Sequence, residues 1–584
     1  MTKGVIVAIS LNSLLYAATA YVLCLSGREF GLYNLAAGAW VVIGGWFTAW
    51  LLGPMLGAAA PINPLLFLLL PVVAAVQVLS PLILRDALSN KRLIYLFISL
   101  GVALILSAFG QVYLLQHSAD TIPVQASSMV YAVSALLLFL ILFLVTVMFS
   151  TQFWAKTVLI FRLGQPNTIL YSRLVFLLLL EGGLLFILGG ISFYIHKGQF
   201  GEAEYRTVVP ILALVLAKSN PIRSFLIAFI VVIAGHLIEA KTPYFAGHSV
   251  SITIGLLILA VLFWSWPWDS VVDANKTGKA PMRRATGRLT NDSSLMGVVG
   301  IGILIALSRL IPGSADEPLN RFVLMAVLST AAWFAMRYLD IRSLTWTPLA
   351  AICVYAILNI QSSTYLMLAL AAAGLFWVFY LWTLRVLKDE PSFVVDLSLV
   401  ICLYEIAQKS TAISGVENVR AFSSSYIVPI WMVLSFQSIL IAGMLSLVFV
   451  SARYRRLRSV VLGLGNFRLG WHNGLPVRSL FALGCLILIV CCVAANIGYH
   501  MTSAPITPSD LSLSDSLMVF LFGYLMLYWE PGPTYVLMFL IYYVLGKSLA
   551  SHGLRLEGYI GIALLATVLI LHLMSKVTAR HERV

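Results

Sequence analysis

Apolar runs of about 20 residues, long enough to cross a bilayer as helices, recur from one end of this chain to the other. That recurrence constrains the fold more than any motif. Hydrophobic residues fill 61% of 584 positions and charged residues only 10%, against roughly a quarter charged in a soluble domain. With no water to satisfy exposed backbone groups, runs of this length fold as helices. The expected class is therefore all-α, a polytopic integral membrane protein. Spans are expected near 5–25, 31–52, 62–84, 94–115, 128–149, 170–195, a short 207–218, 222–239 and 248–266. A second series follows near 294–311, 320–338, 345–361, 364–384, 393–410, 426–450, 479–499, 513–529, 533–548 and 557–575. That makes about 19 crossings of roughly 20 residues each.

Loop charge sets the expected orientation. Residues 451–478 carry Arg453, Arg455, Arg456, Arg458, Arg468 and Arg478 without an acid, and 151–173 carry Lys156, Arg162 and Arg173, again without one. Both are cytoplasmic by the positive-inside rule, which puts the N-terminus outside and the C-terminus inside. The net charge of +14 is spread over such loops, so it does not form the basic face of a nucleic-acid binder. Residues 268–294 are polar, basic and rich in Gly, Pro, Ser and Thr. They read as a cytoplasmic linker. The linker divides the chain into a first half, 1–267, and a second, 295–584. Each half runs through several spans, a long basic loop, a long span, a short interrupted span and two final spans. This order implies two pseudo-symmetric halves around a midplane pathway.

Some residue groups carry no chemistry. Cys24, Cys353, Cys402, Cys485, Cys491 and Cys492 lie in apolar runs without CxxC spacing, and the histidines are scattered. No metal site, cofactor site or catalytic residue is read from them. Gly546-Lys547-Ser548 lacks the upstream glycine of a phosphate-binding loop.

Specific segments resemble a known family. LYNLAAGAWVVIGGWFTAWLL, from Leu32, is similar to an early helix of bacterial branched-chain amino acid permeases, the membrane subunits of ATP-binding-cassette importers. Asn34, Ala36, Gly38 and Gly44 stand at that motif's Asn, Ala, Gly and Gly, while Ala37 replaces its His. PILALVLAKSNPIRSFLIAFIVVIAGHLIEA and LFWSWPWDS resemble the closing helices of one permease subunit. VVDLSLVICLYEIAQ, SARYRRLRSVV with LGWHNGLPVRSLFAL, and ITPSDLSLSDSLMVFLFGYLM resemble the other. The resemblance implies both subunits fused in one chain in the bacterial inner (plasma) membrane. It implies a small polar solute such as a branched-chain amino acid, cytoplasmic ATPase subunits that hydrolyse ATP, and an extracytoplasmic solute-binding protein. Two departures stand out. The basic loops lack the family's acidic coupling helix, and LAKSNPIR and LYWEPGPTY replace its glycine-rich turn. A permease scaffold repurposed for assembly and an ion-coupled secondary transporter are the alternatives.

Candidate sites follow. Arg162 and Gly164, with Arg458, Arg468 and Gly470, are expected ATPase-coupling positions; otherwise their arginines hold topology and touch anionic lipid. Glu181 and Glu405 are carboxylates at bilayer depth, where an acid faces a cavity, a partner or a proton path, or else sits hydrogen-bonded in the core. Asn34 and Gly38 are expected in a broken helix lining the path, or in plain helix packing.

Single-cysteine labelling in intact cells tests the orientation. Positions in 151–173, 268–294 and 451–478 should all resist an impermeant reagent, and labelling of any one refutes the nineteen-span topology.

Overall fold

A computed structural model of the chain describes residues 3–30, 34–52, 99–101, 128–150, 168–195, 203–218, 220–242, 248–264, 316–359, 363–387, 389–414, 427–453, 476–502, 506–507, 511, 513–529 and 531–540. The linker 268–294, the expected spans 62–84, 294–311 and 557–575, and Arg162, Gly164, Arg458, Arg468 and Gly470 lie outside the described residues. Most of those described are helical, and they include no strand. They form two compact units, one within Met1–Trp264 and one within Ser265–Leu556.

The first unit contains α1 (Lys3–Phe30), α2 (Ala37–Leu52), α3 (Ser128–Ser150), α4 (Thr168–Ile195), α5 (Ala203–Leu216), α6 (Pro221–Lys241) and α7 (Ser249–Trp264). The second contains α8 (Asp316–Phe334), prolonged by a π-helical turn, Ala335–Leu339, then α9 (Trp346–Asn359), α10 (Ser363–Leu387) and α11 (Asp389–Ser414). It continues with α12 (Ile430–Arg453), α13 (Val477–His500), α14 (Leu513–Trp529) and α15 (Pro531–Phe539). Seven helical stretches among the described residues are long and apolar enough to cross a membrane: Ile9–Gly27, Val175–Ser192, Pro221–Lys241, Leu319–Leu339, Ser363–Leu387, Ile430–Leu447 and Arg478–His500.

Burial separates these helices into two kinds. Within its most apolar stretch, α1 is 78% buried and the Leu319–Leu339 stretch 83%, whereas α6 and α10 are each 22% buried. The exposed faces are apolar. Tyr365, Met367, Leu368 and Leu375 on α10 are all at least 70% exposed, and Leu136, Phe139 and Phe143 line an open face of α3. A continuous apolar face of this kind is unfavourable in water, at about 25 cal/mol per Å², and needs no covering in hydrocarbon. These are the helices of a membrane-embedded protein.

Contact between helices depends on small residues, because lipid removes the hydrophobic drive to associate. Ala17 and Ala20 of α1 meet Ala213 of α5 and Ala228 of α6, all fully buried. The α2–α4 crossing is closer still. A Cβ on Gly44 would collide with the Phe186 carbonyl of α4, and one on Gly189 with the Val41 carbonyl of α2. The two glycines therefore face each other's backbone, where any side chain would force the helices apart.

The short helix α5 is buried from Thr207 to Leu214, with Val208, Val209, Ile211, Leu212, Ala213 and Leu214 at 3% exposure or less. Its 14 residues rise about 21 Å, less than the roughly 30 Å of a bilayer core. It ends at Lys218, whose φ of 50° is left-handed, and the chain restarts as α6. Asn220 caps that restart, its Oδ1 accepting from Arg223 N at 3.1 Å, with Pro221 in the first turn where its missing N–H is not needed. The interruption expected at LAKSNPIR is this turn.

Gly183 supplies an internal control for the glycine contacts, since a Cβ there meets nothing within 4 Å. Gly44→Ala and Gly189→Ala should each lower Tm and the yield of monodisperse protein, while Gly183→Ala should leave both at or above wild type. Equal behaviour of the three in thermal unfolding would contradict the close α2–α4 crossing.

Candidate functional site

Two buried carboxylates, one in each unit, fasten places where the chain leaves helical conformation. In the first unit the irregular segment is Asn34–Ala36, just ahead of α2. Asn residues favour such turns because the side chain can accept from the backbone two residues on, and Asn34 Oδ1 accepts from Ala36 N at 3.0 Å. Its Nδ2 donates to Glu181 Oε1, also at 3.0 Å. Glu181 reaches in from α4, fully buried, and its Oε2 accepts from Ser26 N at 3.0 Å. Leu35 N donates to Ser99 Oγ at 3.2 Å. Asn34 and Glu181, read separately from the sequence, are in direct contact. Gly38 is buried in the first turn of α2, and Gly182 lets the Trp40 ring lie against α4, 3.0 Å from where a Cβ would stand.

The second unit has a clamp that sequence reasoning missed. Its irregular segment, 340–345, follows the π-helical turn and begins at Asp340, whose φ is 54°. Asp396 on α11 is fully buried. Its Oδ1 accepts from Tyr380 Oη at 3.0 Å and from Ser343 Oγ at 3.2 Å, and its Oδ2 accepts from Leu344 N. Ser343 Oγ in turn accepts from Thr345 N at 3.2 Å. Because the single Ser343 proton goes to Asp396, the hydroxyl contact of 2.6 Å between Ser343 and Thr345 has Thr345 as donor. Close by, Arg385 caps the preceding turn, donating from Nη1 to Leu339 O at 2.6 Å with its guanidinium 5.2 Å above the Phe481 ring. A helix end leaves carbonyls unmet, and a basic side chain at that end meets one.

The two clamps share their layout. Asn34 stands three residues before the first residue of α2, and Ser343 three before the first of α9. Each accepts from the backbone N–H two residues on, and each donates to a buried carboxylate. The next residue, Leu35 or Leu344, gives its N–H to a side chain, Ser99 in one case and Asp396 in the other. The carboxylates differ in origin, α4 in the first unit and α11 in the second. Asp396 was legible as an acid in the run VVDLSLVICLYEIAQ, where Glu405 stood out more because an apolar stretch surrounds it. Glu405 is buried on α11, about two and a half turns beyond Asp396.

Comparison with family models, curated proteins and solved structures returns no match. The arrangement itself says what these groups do. Each carboxylate gathers donors that would otherwise be orphaned in an apolar interior, where an unmet buried group costs about 1–3 kcal/mol. Among the described residues, no group of three His, Cys, Asp or Glu side chains comes together as a metal site.

The shared layout generates a rescue experiment. Glu181→Gln turns one acceptor into a donor that faces a donor, and should cost about 1–3 kcal/mol. Ser99→Asp puts a carboxylate at the position that faces Leu35 N, the role Asp396 has toward Leu344 N. Added to Glu181→Gln, it should restore at least half of the lost Tm. No recovery in the double variant would show that the two breaks are not fastened alike.

Proposed function

We propose that this chain is the membrane core of an importer. It is a permease of about 19 crossings in two pseudo-symmetric halves, multi-pass in the bacterial inner membrane. Its cargo is a small polar solute such as a branched-chain amino acid or a related compound. Cytoplasmic ATP-binding-cassette ATPase subunits drive it, a solute-binding protein outside delivers the solute, and the chain itself hydrolyses nothing.

The observation that carries this reading is the clamped break, which recurs in register. Tyr21 stands thirteen residues before Asn34 and Thr330 thirteen before Ser343. Tyr21 touches Phe225, the fifth residue of α6, with ring centroids 6.2 Å apart. Thr330 touches Tyr535, the fifth of α15, at 2.6 Å. Helix packing follows the same correspondence. In the first unit α1 packs on α3, α4, α5 and α6, α2 packs on α4 and α5, and the pairs α3–α4 and α5–α6 are in contact. In the second α8 packs on α12, α13, α14 and α15, α9 packs on α13 and α14, and the pairs α12–α13 and α14–α15 are in contact. Ser99 and Asp396 fall in the fourth span of each series, counted from α1 and from α8.

Repeated bundles with interrupted helices at depth are the architecture of transporters, because irregular backbone is tolerated there only against protein or a water-filled path. The short buried helices α5 and α14, each followed by a Pro-initiated helix, support the same reading. Glu181 and Asp396 enter it as positioning residues, each with both oxygens engaged. That disfavours Glu181 as the coupling site of the ion-coupled alternative, which needs a carboxylate free to bind and release its ion.

Copurification tests the ATPase partnership. The wild-type protein should bring down a cytoplasmic ATPase, and charge reversal at Arg458 and Arg468 should release it. Insertion should survive, because four other arginines remain on the loop 451–478. ATPase retained by the double reversal would reduce those arginines to topology signals. No ATPase on the wild type would refute the importer and favour the scaffold.

A further inference from the structure

One end of the first unit, where α1 begins and α6 finishes, is held by a contact able to take up a proton. Asn12 Nδ2 and His236 Nε2 stand 3.0 Å apart. On the other side of the ring, His236 Nδ1 lies 3.4 Å from Glu239 Oε2, about one turn further along α6. An ionised carboxylate only accepts, so Nδ1 carries the ring proton. In the neutral ring Nε2 is then a lone pair, which accepts from Asn12 Nδ2. Asn12 Oδ1 in this state is buried and meets no donor among the described residues.

The same atoms fit the charged ring. A second proton turns Nε2 into a donor that needs an oxygen opposite it. A half-turn of the Asn12 amide supplies Oδ1 without moving either helix, because the amide oxygen and nitrogen exchange places. The nitrogen takes the oxygen's former position, so the number of unmet atoms does not fall. The gain is in strength. The bond between α1 and α6 becomes charge-assisted, roughly twice as strong as a neutral one, and the contact with Glu239 becomes an ion pair. His236 is 20% exposed and Glu239 24%, so protons reach them from water.

The repeat gives independent support. The register that relates Tyr21 to Thr330 and Asn34 to Ser343 also relates Asn12 to Arg321. Arg321 holds Asp515 of α14 at 2.7 Å. Both units thus fasten this helix to a neighbour from the same position. One uses a guanidinium, which keeps its charge, and the other an imidazole, the side chain whose charge changes between about pH 5 and 8.

Other titratable groups occur on the elements packed against α6, which are α1, α5 and α7. On α1 they are Lys3 in the first turn and Tyr16, one turn past Asn12. The first turn of α5 carries Glu204, Tyr205 and Arg206, and α6 itself ends on Lys241. His248 precedes α7, close in level to His236, since a Cβ on Gly235 would stand 3.0 Å from Ser249 O. His248 is therefore the control for any effect of His236.

We propose that His236 is a proton-operated catch, in which protonation draws α6 onto α1 through Asn12 and Glu239. The protonated ring makes contacts in the folded protein that the unfolded chain lacks. The catch is therefore engaged below the ordinary imidazole range, about pH 6.5, and released as pH rises through it. The inference goes beyond the permease reading and takes from it only that this end faces outward. There an importer meets the medium, so the catch makes the outer end of the first unit respond to external acidity.

Hydrogen exchange of the full chain in nanodiscs of neutral lipid tests this at about pH 5 and pH 8, with rates corrected for the chemical effect of pH. Peptides covering 3–16 and 230–241 should be about threefold better protected at the lower pH. His236→Gln, whose amide donates or accepts at either pH, should remove the difference while leaving the chain folded. Asn12→Leu should remove it too, and gives the answer if His236→Gln does not insert. His248→Gln should leave the difference intact. The proposal is overturned if the wild type shows no difference, if His236→Gln and Asn12→Leu retain it, or if His248→Gln abolishes it. No ATPase is present in this measurement, so its failure and a failure of copurification are separate results.

Discussion

In hydrocarbon a backbone N–H or C=O has no water to turn to, and each one left unmet costs several kcal/mol. The described part of this protein is organised by that constraint. Where the chain is helical the constraint is met within each helix, and side chains are free to be apolar. Where a helix must stop at depth, something else has to supply the hydrogen bonds. In the first unit that is Glu181 with Asn34 and Ser99, and in the second Asp396 with Ser343, Tyr380 and Thr345. Arg385, capping Leu339, does the same for a carbonyl.

A carboxylate suits this task because it offers two oxygens and donates nothing when ionised, so it can gather several N–H and O–H groups at once. Its own burial is expensive unless those donors surround it. Clamp and break are therefore mutually dependent. The break would be costly without the carboxylate, and the carboxylate would be costly without the break. The residue three before the helix, Asn34 or Ser343, is reached by a carboxylate from α4 in one unit and from α11 in the other, since what matters is where the oxygens stand and not which helix carries them.

Packing between helices obeys a second rule that follows from the same solvent. With no gain from hiding apolar surface, contact is driven by close approach and dispersion. Gly44 and Gly189 bring α2 and α4 backbone to backbone, and the alanines of α1, α5 and α6 do so less extremely. The opposite faces, such as those of α3 and α10, stay large and apolar. Short α5 is the inverse case, buried from Thr207 to Leu214, which is what permits a helix too short to cross.

Composition and run length alone determined the helical class, the membrane setting and most element positions. Burial of about 20 apolar residues without water leaves the chain no other regular structure. Glu181, Asn34 and the interruption at LAKSNPIR were legible because a charge, an amide or an Asn–Pro pair inside an apolar run has few reasons to be there. The expected span 31–52 nevertheless became a helix that starts only at Ala37, because Asn34 turns its side chain back onto the backbone. Asp396 could not be told from Glu405 by pattern. Both are acids in one helical run, and only the tertiary structure brings Ser343, Leu344 and Tyr380 to the first. Pairing of Asn34 with Glu181 is likewise a tertiary fact, because residues 147 apart meet only after α4 has packed across α2. Periodicity reports which face of a helix is apolar, whereas hydrogen bonds between helices depend on rotation and depth, which packing alone decides.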